Sequence, residues 1–242
     1  MLAFGVVGVL VVGLVRIDIT LPWIGHLGSA LIAMMFLYVP LYVAGKRDED
    51  LRDYGFRTEP LGKGLAVAAL SLAVIVPVFV LAFIAFYEVA CHAPLLSHLV
   101  PPGMCSRYGG LASLHLPSFA LAEPGQNDQH TLSLEWCAVQ WLVVGLSEEL
   151  FFRGFLLHKL EQRFVPKRRL WGGGVGLALV LSAIAFALIH LPKGGDPRAL
   201  MTFFPGLLFG WMRSATGSIL ASTVAHGCSN ILVRMLELAV SR

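Results

Sequence analysis

The chain is 242 residues long, 57% hydrophobic and only 14% charged, with a net charge of +3. A soluble domain averages about 45–50% apolar and about 25% charged residues, so the composition excludes intrinsic disorder, a fibrous repeat and most soluble folds. The thin positive charge forms no long basic stripe, which argues against a nucleic-acid partner. What remains is a polytopic membrane protein with lipid as its surroundings.

A bilayer core of roughly 30 Å takes about 20 mainly apolar residues as a helix, and the chain divides into runs on that scale. Residues 1–15 are apolar but short. They lack the basic leader of a secretory signal, and Arg16-Ile17-Asp18 is a poor cleavage context, so they read as a retained first span. Residues 27–45 and 64–87 are uncharged and predict the next two spans. The segment 91–132 is too long for a simple connector. It contains Cys91 and Cys105, which can pair if the segment faces an oxidising compartment. Residues 133–147 are apolar except for Glu135 and lead into Glu148 and Glu149. Residues 171–191 and 214–233 predict two more spans, and 199–212 reads as a tilted, short or re-entrant piece. The expectation is an all-α, polytopic transmembrane bundle of six to eight helices in a single domain over 1–242. Cys137 and Cys228 lie in apolar runs, where Cys is usually a small buried hydrophobe.

Orientation follows from Lys and Arg. Segment 46–63 carries Lys46, Arg47, Arg52, Arg57 and Lys63, and 158–170 carries Lys159, Arg163, Lys167, Arg168 and Arg169, whereas 91–132 has Arg107 alone. The two basic segments are expected on the cytoplasmic side and 91–132 outside.

Ionisable side chains inside apolar runs are costly and mark function by default. Three places have them: Glu148-Glu149-Leu150-Phe151-Phe152-Arg153, Phe186 to His190, and His226 to Asn230. On a helix, Glu149 and Arg153 share a face, so the guanidinium can neutralise that carboxylate. Glu148 points about 100° away and is left for proton transfer, which suits a general base in a low-dielectric site. Phe186 and His190 share a face, as do His226 and Asn230. Taken singly, each pattern is equally an ion pair or polar group that holds membrane helices together. At 1.5 Å per residue, Glu148 lies about 22 Å from Ser133 and His190 about 28 Å from Trp171, at opposite depths. A single site therefore requires tilted helices, a later helix start, or a break near Gly172–Gly174.

The ordered set Glu-Glu-x-x-x-Arg, Phe-x-x-x-His and His-x-x-x-Asn, over about residues 133–235, resembles the CPBP family of intramembrane proteases. That family includes CAAX prenyl endopeptidases and the bacteriocin-processing and self-immunity (Abi) proteins. The resemblance implies a membrane endopeptidase in which Glu148 and His190 activate water and His226 and Asn230 stabilise the oxyanion, with Glu149, Arg153 and Phe186 supporting. It implies no obligatory cofactor. Zinc held by Glu148, His190 and His226 is the alternative, disfavoured because H-E-x-x-H is missing. The implied substrate is a peptide or protein near the membrane, lipidated or carrying a carboxyl-terminal sorting tail of the myxosortase type. The implied location is a bacterial cytoplasmic membrane, with several spans. The other readings are a non-catalytic scaffold or immunity protein and a small transporter; the missing internal repeat argues against the last.

Overall fold

The computed structural model describes residues 2–17, 19–21, 25–93, 95–96, 100, 103–111, 114–121, 131–191 and 197–240. Part of the predicted outer segment, including 122–130, lies outside them. The chain is mostly helical, in the order α1 (Leu2–Leu14), α2 (Leu27–Arg47), α3 (Leu61–His92), α4 (Met104–Arg107), α5 (Leu134–Val139), α6 (Leu146–Glu149), α7 (Leu157–Arg163), α8 (Leu177–Leu188), α9 (Phe203–Thr216) and α10 (Leu220–Val240). Three two-stranded ladders break the all-α expectation. These are β1 (Thr20–Leu21) with β2 (Gly25–His26), β3 (Ser118–Ala120) with β4 (Thr131–Ser133), and β5 (Arg168–Leu170) with β6 (Gly173–Val175).

Contacts divide the chain into two compact units. The first comprises residues 1–68 and 141–226, the second 69–140 and 227–242. The core of the first is built by α2 and by the helical rod 141–163. Phe36 of α2 meets Phe151 at 5.0 Å and the edge of Phe152 at 5.4 Å, and Phe152 meets Phe186 of α8 at 5.2 Å. Small residues let α8 and α9 close on each other, as at membrane helix interfaces. A Cβ placed on Gly206 would lie 3.2 Å from that of Ala183. In the second unit, Cys91 and Cys105 form a disulfide, the pairing expected of an oxidising environment. Beside it Tyr87, Ala90, Val100, Tyr108 and Val240 make a small core.

Helices α2 and α3 are long and apolar enough to cross a membrane by length and composition, and α1 from Gly5 and α8 are shorter apolar helices. The predicted count of spans therefore holds for two helices on this criterion. Two predicted spans have different boundaries. Residues 171–176 do not start a helix. Instead, β5 and β6 form an antiparallel hairpin whose turn residues Trp171 and Gly172 have φ of 48° and 86°. A tight two-residue turn with both φ positive matches the twist of a hairpin, and Gly supplies one of the two positions at no steric cost. The predicted run 214–233 is likewise split, because Gly217 ends α9 in the left-handed conformation (φ 73°) and its N–H bonds Arg213 O at 2.7 Å. Averaged hydropathy cannot register such a cap.

The two basic segments meet within the first unit. Lys159 Nζ lies 2.6 Å from both oxygens of Glu49, and the Tyr54 hydroxyl donates to Glu49 at 2.5 Å. The buried Arg213 spans Asp53 O at 3.0 Å and Glu161 at 3.3 Å. These bonds bring residues of 48–60 into contact with α7.

Candidate active site

The rod 134–163 is not a uniform α-helix. Its turns widen to π geometry at Gln140–Gly145 and again at Leu150–Leu156, and between them stands the short α6 with both glutamates. Widened turns inside helices recur at functional sites because they shift the phase of the side chains that follow. Ser147 Oγ donates to Val143 O at 2.6 Å, capturing a carbonyl beside the first widened stretch.

The rod continues through Arg163, so Glu148 sits near its middle and not at an end. α8 starts at Leu177, six residues later than the apolar run does, which leaves His190 about 20 Å from the helix start. The late start shortens the distance from the helix start to His190 that the apolar run implied.

Six of the seven predicted residues come together in the first unit. Glu149, with no exposure, holds Arg153 Nη1 at 3.0 Å from its Oε1, and Arg153 is 1% exposed. The guanidinium lies 3.9 Å above the Phe186 ring and 5.3 Å from that of Phe209, with Nη2 directed at Gly206 O at 3.5 Å. An ion pair this deep is tolerable because the arginine gains ring faces and a carbonyl in place of water. The same Glu149 oxygen accepts a hydrogen bond from His226 Nδ1 at 2.8 Å, a contact the i,i+4 argument did not foresee. His190 Nδ1 lies 2.7 Å from Phe186 O. A carbonyl only accepts, so this nitrogen carries the proton and Nε2 is the basic one.

Both imidazoles present Nε2 to one atom. Glu148 Oε2 is 3.8 Å from His190 Nε2 and 3.8 Å from His226 Nε2. That separation exceeds a direct hydrogen bond and suits a small molecule held among the three groups. Aromatic faces fix the rings: Phe186 meets His190 at 4.7 Å and His226 at 5.7 Å, and Phe209 stacks on His226 at 5.2 Å. Phe209 was not singled out from the sequence. It lies in the ambiguous segment 199–212, where its spacing gave no sign of a neighbouring histidine.

Asn230, one turn beyond His226 in sequence, belongs to the second unit, where its Nδ2 donates to Gln140 Oε1 at 3.0 Å. Gln140 was also not foreseen. Among the described residues, no three His, Cys, Asp or Glu side chains are arranged to hold one metal ion.

Comparison with known proteins gives one family. Residues 130–232 match the type II CAAX prenyl endopeptidase, Rce1-like family. No curated protein and no solved structure matches the chain. The matched stretch covers all seven predicted site residues and agrees with the resemblance of the motifs. Residues 130–232, the stretch that carries the site, are thus similar to the Rce1-like type II CAAX prenyl endopeptidases, a family of membrane-embedded proteases.

Proposed function

We propose that the protein is an intramembrane endopeptidase that cuts a peptide bond near the membrane surface, in a carboxyl-terminal tail or processing site, by Glu148-activated water. The observation that carries this reading is the convergence of two imidazole Nε2 atoms on one oxygen of the buried Glu148. Water bonded between Glu148 and His190 loses its proton to that pair as it attacks the carbonyl. His190 is oriented for this by its bond to Phe186 O. His226 is held by Glu149 through Nδ1, so it offers Nε2–H to a developing oxyanion only as the imidazolium. The Glu149 carboxylate stabilises that cation, and the Arg153 guanidinium lies 3.0 Å from the same carboxylate. By the family motif Asn230 is the second oxyanion donor. The reading needs no metal, and it places the protein as a multi-pass protein of a bacterial cytoplasmic membrane.

The test is cleavage of a panel of lipidated and unlipidated tail peptides by detergent-solubilised protein, with and without chelator. Glu148→Gln should lower the rate by about 10²–10⁴-fold, the usual worth of a general base, while insertion and melting temperature hold. Chelator should leave the wild-type rate unchanged. A folded wild type that cuts nothing, or a Glu148→Gln protein that fails to fold, would move the assignment to a scaffold with a structural polar cluster. Activity abolished by chelator and restored by zinc would replace the metal-free step.

A further inference from the structure

The two basic segments differ in electrostatics. In 46–63, Lys46, Arg47, Arg52, Arg57 and Lys63 are interspersed with Asp48, Glu49, Asp50, Asp53 and Glu59. Two of these acids are in ion pairs, Glu49 with Lys159 at 2.6 Å and Glu59 with Arg52 at 3.3 Å. After Glu161, by contrast, the chain has no acid before Asp196, and that stretch opens with Arg163, Lys167, Arg168 and Arg169, all exposed. Among the described residues none of these four is in an ion pair. Glu161 has Arg169 in its field but is paired with Arg213 at 3.3 Å. The cluster 163–169 therefore keeps a positive excess that 46–63 lacks.

Three of the four cations are held by a folded element. Lys167 precedes β5, and Arg168 and Arg169 are part of it. The partner strand β6 brings two buried glycines against α9. A Cβ on Gly173 would lie 2.4 Å from the Trp211 ring, and one on Gly174 would lie 2.9 Å from Pro166. Gly174 N–H donates to Ser214 Oγ at 2.8 Å, and the Trp211 indole N–H donates to Leu170 O at 2.8 Å. The glycine strand is thus clamped to α9 and the basic strand is left outside, with Arg169 Nη1 donating to Gly172 O at 3.3 Å. Helix α8 starts two residues beyond the hairpin. Its Leu177, Val180, Ile184 and Leu188 are exposed and share one face. An aliphatic stripe about 16 Å long suits acyl chains, so the hairpin, where the stripe begins, stands at the level of the headgroups.

We infer that the hairpin is a docking surface for anionic lipid headgroups, with Lys167, Arg168 and Arg169 binding the phosphate and Arg163 adding to the field. The inference is independent of the protease reading. A guanidinium fork matches the oxygens of a phosphate, and clustered cations at a membrane surface favour a headgroup with net negative charge. A zwitterionic headgroup carries its own ammonium beside the phosphate and gains little from uncompensated cations. The hairpin is fixed before any lipid arrives, so little ordering is lost on binding. Trp171 at the tip contributes no charge, and the preference is set by the cations.

The experiment measures lipid binding alone. The full-length protein, stripped of lipid in an uncharged detergent, is titrated with phosphatidylglycerol or phosphatidylcholine, and the first bound lipid is resolved by native mass spectrometry. Phosphatidylglycerol should bind at least about tenfold more tightly, with a margin that shrinks as the salt rises from about 0.1 M to about 1 M. Lys167→Gln/Arg168→Gln/Arg169→Gln should reduce it to the affinity of phosphatidylcholine and leave the latter unchanged. Lys46→Gln/Arg47→Gln/Arg52→Gln removes the same charge from the other segment and should keep the preference, as should Trp171→Asn. Should the hairpin triple variant fail to fold, Lys167→Gln/Arg168→Gln keeps the Arg169–Gly172 bond and should lose most of the preference. Equal binding of the two lipids by the wild type overturns the inference. So does a preference that survives the hairpin variants, falls equally in both triple variants, or disappears with Trp171→Asn. Displacement of phosphatidylglycerol by inorganic phosphate at the same concentration also overturns it, because the cations would then hold free phosphate and not a lipid.

Discussion

Arg153 shows how a single side chain commits the site to one arrangement. Its charge is buried among Phe152, Phe186 and Phe209 and balanced, among the described residues, by Glu149 at ion-pair distance. Removing one member leaves the other charged and dry. Arg153→Met should therefore destabilise the protein by about 3–5 kcal/mol, whereas the double variant Glu149→Leu/Arg153→Met should cost much less than the sum of the two single changes. Thermal melting of the four proteins in one detergent measures the coupling, and additive losses would show that the pair contributes no mutual stabilisation. The pairing of Glu149 with Arg153 was legible from their spacing, because i and i+4 meet on any helix. The bond from His226 to Glu149 was not, since nothing in a sequence says which carboxylate of an adjacent pair a distant imidazole will meet.

At the level of elements, the departures from the sequence reading all arise from local backbone geometry that hydropathy does not report. The π stretches on either side of α6 contain no proline and no unusual residue that would announce them. The hairpin 168–175 was hidden inside an apolar run, although Gly172, Gly173 and Gly174 were noticed as a weak point. A Cβ at Gly173 would strike Trp211, whose indole N–H donates to Leu170 O at 2.8 Å, so that glycine is needed for close approach. The turn also holds Trp171 at φ 48° with its side chain 84% exposed. The left-handed region costs an ordinary side chain roughly 1–2 kcal/mol and Asn less. Trp171→Asn should consequently leave activity intact and raise stability by up to about 1 kcal/mol in a denaturation or melting assay. A marked loss would mean that the indole has a partner of its own, such as the membrane interface. Gly217→Ala should do the reverse, lowering stability by about 1 kcal/mol or more through its positive φ and its collision with Arg57.

Across the whole molecule, the contacts of Glu49 tie the segment after α2 to α7. The ammonium of Lys159, first, and the Tyr54 hydroxyl, second, hold the Glu49 carboxyl below its ordinary 4.5, and burial beside the same carboxylate pushes the Tyr54 phenol up. A carboxylate with a depressed folded value contributes stability above its unfolded value and loses it as pH falls through the folded one. The stability lost in Glu49→Gln should thus be full near neutrality and vanish as pH falls below about 4.5 toward the lowered value, measured as the difference in melting temperature between variant and wild type. A gap that stays constant down through that window would detach the Glu49 charge from the clamp. In the second unit the Cys91–Cys105 disulfide closes a 14-residue separation. Its replacement by Cys91→Ser should cost about 3 kcal/mol in the chain-entropy account, read as earlier melting or proteolysis within 69–140. Thiol labelling of native protein before and after reduction tests the bond itself.

Much of the outcome was already contained in composition and motif order. Apolar content set the expected class, because a chain with so little charge has few groups with which to face water. The long uncharged runs 27–45 and 64–87 became α2 and α3, helices long and apolar enough to cross a bilayer. The glutamates, arginine and histidines of the site were visible because ionisable groups stand out against an apolar background. Tertiary structure alone decided which of them meet. The direction of the His226 imidazole depends on a carboxylate 77 residues away, that of His190 on a carbonyl one turn before it, and the helix starts depend on turns with positive φ. Side-chain type is a local property of the chain, whereas convergence on one oxygen is a property of packing.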